Sequence, residues 1–209
     1  MGNEIEVFNK KINDLIEQEI EKVEYYGLRI ISEELESNGN NDLKTIDFSD
    51  YKTKFDNIHS FEIALSLHMK SGDIFDFIWN NIFYCYGIDI IKNGHENYEN
   101  ESVKKWNMTE DNLWKKYINK KIFKIDVVWE SNTGTIKSYT NGREKIERVE
   151  EKMNPVTCII YFFESEKRYN RVFISASGII GKNDEIVFRG HDNIMVMDNI
   201  NNAVEFGLI

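Results

Sequence analysis

Eight residues, Val156 to Phe163 (Val-Thr-Cys-Ile-Ile-Tyr-Phe-Phe), constrain this chain most. They form its most apolar and β-branched-rich run, and Asn154-Pro155 leads into them. A short run that is apolar at odd and even positions alike reads as a strand covered on both faces, hence a central strand. Such a strand needs partners beside it and layers above and below it.

The C-terminal half supplies the partners. Strand patterns run over Phe123–Glu130, Thr135–Tyr139, Arg171–Ser177, Glu185–Arg189 and Ile194–Met197, separated by short polar turns that favour antiparallel pairing. Asn141-Gly142 is a type I′ hairpin signal. Arg143 to Met153 fits two patterns: Ile146, Val149 and Met153 recur at helical spacing, whereas the hairpin calls for a strand. Asp198 is placed to cap a short last helix through Ile200 and Val204.

The N-terminal half reads as helices. Asn3 caps a first helix with Ile5, Phe8, Ile12, Leu15 and Ile16 on one stripe, continuing weakly through Val23, Tyr26 and Ile30 to Leu35 with a weak point at Gly27. Leu43 to Phe48 reads as a short strand or an extended connection. Ser60 caps a second helix through Ile63, Leu65, Leu67 and Met69, ended by Gly72. Asp73 caps a third, apolar nearly all round, from Phe75 to Tyr86. Thr109-Glu110-Asp111 opens a fourth, with Lys115, Lys116, Lys120 and Lys121 at its end, the order a helix dipole favours. The expected class is therefore α+β. A helical layer over about residues 1–121 packs on a mainly antiparallel sheet over about residues 122–198, in one domain spanning 1–209. One domain is favoured because the 74–86 segment needs cover on every side.

At 41% hydrophobic and 30% charged residues, with one proline, the chain is neither disordered nor built on long linkers. The longest apolar stretch, Ile74 to Ile91, is interrupted by Asp76, Asn80, Asn81, Gly87 and Asp89, so it does not span a bilayer. No basic segment followed by an apolar one opens the chain, and Met1-Gly2 lacks the Ser or Thr that myristoylation requires at position 6. Cys85 and Cys158 lie in apolar runs and read as reduced, buried thiols without activating cations. Together these lead to the expectation of a cytoplasmic protein with no membrane partner.

Net charge is −10, unevenly spread. Residues 1–50 hold 13 acids and 5 bases, whereas residues 101–150 hold 8 acids and 11 bases. The acidic total argues against general nucleic-acid binding, which draws on phosphate neutralisation. It favours a basic protein partner, because concentrated opposite charge raises on-rate and selectivity. On a continuous first helix, Glu17, Glu21, Glu24 and Glu34 would share one face, and these are the expected partner-binding residues.

Other motifs are weak. Gly94-His95-Glu96 and Gly190-His191-Asp192 each set a histidine beside a carboxylate, the pairing of a general base or metal ligand. His191, Asp192 and His95 are therefore the alternative site, with His191 first because it follows a strand end. His59 and His68 are out of phase on one helix and do not converge. No metal or cofactor pattern is present, and none is expected. Ser175-Ala176-Ser177-Gly178 lacks the glycine that precedes the serine of a nucleophile elbow and fits a strand instead. Lys104, Lys105, Trp106, Trp114, Lys115, Lys116, Tyr117, Lys120, Lys121 and Lys124 interleave bases with aromatics, as single-strand binders do. A helix with its rings in the core accounts for the same pattern.

The leading expectation is a non-enzymatic inhibitor of a basic target, a toxin or nuclease, of the kind that an immunity protein or a phage-encoded inhibitor represents. The first alternative is a small-molecule binder or hydrolase with a pocket between sheet and helices. The second is a nucleic-acid-binding regulator using residues 104–124. The same lysines also complement the acidic helix of a second copy, which would give a homodimer.

Overall fold

The structure is a computed structural model, and it describes residues 2–28, 32–33, 43–44, 50–53, 55, 57–80, 87–94, 98, 102–140, 143–165, 168–180 and 186–209. Within these, only the backbone is described for 2–3, 32–33, 43–44, 132–152, 165 and 178–192.

Two five-stranded antiparallel sheets make up the fold. The first uses β1 (Ile20–Leu28), β5 (Ala64–Met69), β6 (Ile74–Asn80), β7 (Gly87–Lys92) and β8 (Val103–Asn107), in the order β7-β6-β5-β1-β8. The second uses β4 (Ile58–Phe61), β9 (Ile122–Thr140), β10 (Arg143–Ser165), β11 (Arg168–Ile180) and β12 (Ile186–Met197), in the order β4-β12-β11-β10-β9. Two short strands, β2 (Ser32–Glu33) and β3 (Leu43–Lys44), pair with each other. The described helices are α1 (Gly2–Leu15) and α2 (Ile200–Glu205).

The expected helical layer is overturned: residues read as helices two and three are strands of the first sheet. The reason lies in the period. Leu65, Leu67 and Met69 stand two apart, as do Phe75 and Phe77, and two is the strand repeat. All five enter the core between the sheets, while Ser66, His68, Asp76 and Ile78 take the opposite face. Gly72, expected as a helix end, sits at φ +90 in the hairpin turn joining β5 to β6, where Gly72 N–H bonds Met69 O at 2.9 Å. Asn81 to Tyr86, the rest of the expected third helix, lie outside the described residues.

The first helix is real but stops at Leu15. Phe8, Ile12 and Leu15 seal the core on one side, and burying three such side chains contributes about 5–9 kcal/mol. Glu17 then takes the left-handed region at φ 66, and its N–H bonds Ile122 O at 2.8 Å, turning the chain into β1. The fourth expected helix is a chain of consecutive turns over 109–119. Its i→i+3 bonds, such as Tyr117 N to Trp114 O at 2.7 Å, bury Trp114 and Tyr117 side by side.

The β-rich half follows the sequence more closely. Val156–Phe163 lies in β10 between β9 and β11. Cys158, Ile160 and Phe162 face the inter-sheet core, whereas Ile159 and Tyr161 join a second cluster with Phe173, Met195 and Met197 under α2. Pro155 is tolerated mid-strand because the register shifts between Pro155 and Thr157, the bulge setting a proline requires. Residues 143–153 are strand, pairing along β9 from Arg143 opposite Thr140. Asn141-Gly142 themselves lie outside the described residues. Ser175 and Ser177 lie in β11, buried and hydrogen-bonded to each other at 2.8 Å, as the strand reading requires.

Candidate functional site

A polar cleft of about 230 Å³ opens where the edge strand β4 meets the turns over 109–119. Lys52, Thr53, Asn57, His59, Asp111 and Asn112 line it. Local sequence shapes its rim. The Thr53 hydroxyl donates to Ile58 O at 2.9 Å and accepts from Phe55 N–H at 3.1 Å, pinning the loop that leads into β4. Asn57 accepts the left-handed conformation at φ 60, which asparagine adopts more readily than most residues. Across the cleft, Asp111 Oδ1 accepts from Leu113 N–H at 2.9 Å, which fixes the carboxylate.

His59 is the buried centre of this site, at 6% exposure. Tyr51 and Tyr25 stand edge-on to its ring at 5.0 and 5.7 Å, and Phe61 stacks on Tyr25 at 4.1 Å. Its Nδ1 lies 3.0 Å from Tyr25 Oη, which also accepts the indole N–H of Trp114. Indole is a donor only, so the Tyr25 oxygen must accept from it. The single phenolic proton is then free to be donated to His59 Nδ1. With the Asp111 carboxylate on the Nε2 side of the ring, this arrangement favours the tautomer with its proton on Nε2.

Burial pushes the His59 pKa below its ordinary value, and Lys52 adds to the shift against the opposing pull of Asp111. Burial likewise raises the Tyr25 phenol well above its usual range, so it stays a donor. Asp111 Oδ1 sits 3.7 Å from His59 Nε2, beyond hydrogen-bond length. The cleft thus holds a neutral N–H donor of fixed orientation, an ammonium group at Lys52 and a carboxylate at Asp111.

The expected acidic face does not form. Glu17 is exposed in the turn after α1, and Glu21 is exposed on β1. Glu24, also on β1, is 2% exposed. Its carboxylate meets Lys22 at 2.6 Å, His68 at 2.8 Å, Tyr26 Oη at 3.0 Å and Lys105 at 3.4 Å. Burial raises its pKa, but hydrogen bonds from Lys22 and Tyr26 and the charges of His68 and Lys22 outweigh that and hold it at about 2. Glu24 ties β1 to β5 and β8 and, at that burial, offers no exposed carboxylate on the surface of the chain. Glu34 lies outside the described residues.

The alternative histidine site is only partly placed. His191 and Asp192 fall on β12 between Arg189, which pairs with Ser177, and Ile194, which pairs with Ala176, where the register shifts. Their side chains are not described, and His95 lies outside the described residues. His59 and His68 occupy different sheets and do not converge. Among the described residues no group of three or more His, Cys, Asp or Glu side chains could hold a metal ion. In the 104–124 segment, Trp114 and Tyr117 are buried in the core while Lys115, Lys116, Lys120, Lys121 and Lys124 are exposed. His59 and Asp111 are 52 positions apart, and no spacing rule connects them. The only local sign was an aspartate three residues before a tryptophan.

Comparison of the chain with protein-family models, with curated proteins and with solved structures finds no match. No helix among the described residues is long and apolar enough to cross a membrane.

Proposed function

We propose that the protein binds a small polar ligand in the His59 cleft, through an oxygen acceptor seated on His59 Nε2–H and Lys52. The observation that carries this is the Trp114–Tyr25–His59 chain, which favours an imidazole with its N–H turned to the cleft. A hydrolase would need a lone pair facing the substrate. Here the lone pair is on Nδ1 and occupied by Tyr25, so binding is favoured over general-base chemistry. At about 230 Å³ the cleft is smaller than the roughly 300–1,000 Å³ of pockets for drug-sized molecules, so the ligand is a small metabolite. Asp111 Oδ1, 3.7 Å from His59 Nε2, favours a ligand that also carries a donor.

The test is a thermal-shift screen with small carboxylates, phosphates and amino acids, run on wild type and His59→Phe. A ligand at about a hundred times its dissociation constant stabilises the folded state by about 2.7 kcal/mol. At least one compound should raise the wild-type melting temperature and leave the variant unmoved. A panel that shifts neither, or shifts both alike, would count against the cleft.

A second reading keeps the inhibitor of a basic protein. It is supported by the exposed acids Glu4, Glu6 and Asp14 on α1, with Glu17 and Glu21 just after it. Glu17→Lys with Glu21→Lys should leave the fold intact and slow association with a basic partner at low salt. Equal association rates would remove this reading.

A further inference from the structure

We infer that the open end of the outer face of the second sheet binds single-stranded nucleic acid, stacking bases on Phe123, Phe163 and Tyr169 between cationic side chains.

The platform is built by three adjacent strands. Phe123 comes from β9, Phe163 from β10 and Tyr169 from β11, with Phe163 and Tyr169 in register. Phe123 lies 4.1 Å from Phe163, and Tyr169 lies 5.3 Å from each of the other two, measured between ring centres. Phe163 and Tyr169 are 47% and 43% exposed. Exposing large apolar rings as a cluster is unfavourable unless something uses them. The same face is closed a few residues away, where Ala203 and Leu208 cover Ile159, Phe173, Met195 and Met197. The cover stops before the ring cluster.

The charge around the rings selects the occupant. In the next row, Lys124 Nζ and the Arg171 guanidinium flank Tyr161 at 5.4 and 5.9 Å from its ring centre. A groove at the end of the sheet is lined by Lys116, Lys120, Phe163 and Asn170. Lys124 is paired with Asp126 and Lys116 with Asp198. Lys120, Arg168 and Arg171 form no ion pair with any described residue. Among the described residues, Glu164, Asp126 and Asp198 are the acids that dilute this field. Aromatic faces for bases beside cations for phosphates are the two components of single-strand recognition. An apolar protein partner would not need the cations, and a neutral sugar would not either. Phe123 falls within the 104–124 segment, whose Trp114 and Tyr117 are buried, whereas Phe163 and Tyr169 come from β10 and β11. With a net charge of −10 the long-range field is unhelpful. Binding therefore rests on stacking and short-range contacts, and salt weakens it.

The experiment is fluorescence anisotropy of a short labelled oligothymidylate with the full chain at low and moderate salt, alongside a duplex and a soluble glucan oligosaccharide. Wild type should bind the oligothymidylate, more weakly at moderate salt, and prefer it to the duplex. Phe163→Ala and Tyr169→Ala should each weaken binding by about tenfold, the order seen when a stacking ring is removed. Lys120→Glu with Arg168→Glu leaves the rings in place, and it should weaken binding and flatten the salt dependence. Circular dichroism confirms that each variant is folded. Absence of binding at low salt, equal binding by folded ring variants, or binding of the glucan in place of the oligonucleotide would each overturn the proposal.

Discussion

Replacing Tyr25 with Phe removes one oxygen and keeps the ring that stacks on Phe61. That oxygen serves two buried partners, the Trp114 indole N–H and His59 Nδ1. Trp114 is fully buried and His59 is 6% exposed, so water is a poor substitute for either bond. Leaving a buried polar group unsatisfied costs about 1–3 kcal/mol, which gives roughly 2–6 kcal/mol for the two. Relief of the buried hydroxyl and water access through the cleft reduce this, and the expected loss is about 2–4 kcal/mol. With a urea slope of about 2 kcal/mol/M, the unfolding midpoint should fall by about 1–2 M at unchanged slope. Equilibrium urea unfolding followed by tryptophan fluorescence and by circular dichroism measures it. A loss below about 0.5 kcal/mol would refute the hydrogen-bond chain from which the site is argued.

Other consequences are equally direct. Glu24, held at about 2 in the folded protein against an ordinary 4.5, contributes stability that is present above about pH 4.5 and lost as pH falls towards 2. Glu24→Gln should flatten the fall in urea midpoint over that window, and an unchanged acid profile would show that its partners do not hold it. Ile160→Asp places a charge in the inter-sheet core and should abolish cooperative folding; a soluble variant with the wild-type melting temperature would mean that this strand is misplaced. Burial pushes the Cys158 thiol well above its usual pKa, so it should resist alkylation in native buffer and react in denaturant. Rapid native labelling at Cys158 would contradict its burial. Gly87→Ala brings a Cβ to 3.2 Å from the Pro155 carbonyl oxygen and should lower the melting temperature, because backbone on β10 has to give way.

The central strand was legible because an apolar run this dense admits few other environments. Residues 64–79 read as helix because their apolar side chains also satisfy a buried helix when spacing is set aside. The alternation of Leu65, Leu67 and Met69 with Ser66 and His68 carried the correct period. β1 is hidden differently: Glu24 reads as part of a solvated helix face until, beside its own strand neighbour Lys22, His68 of β5 and Lys105 of β8 enclose the carboxylate. Those partners are contributed by tertiary structure and have no local signature. The same holds for His59, whose tautomer depends on Tyr25 and Trp114, 34 and 89 residues from their respective hydrogen-bond partners.

The most direct measurement is the tautomer and charge state of His59, from long-range proton–nitrogen NMR correlations of uniformly labelled protein between pH 5.5 and 8. His59 should appear as the neutral Nε2–H form at pH 7 and titrate below the ordinary histidine value of 6.5. Tyr25→Phe should release that preference. A His59 that is protonated at pH 7, or neutral with its proton on Nδ1, would contradict the site.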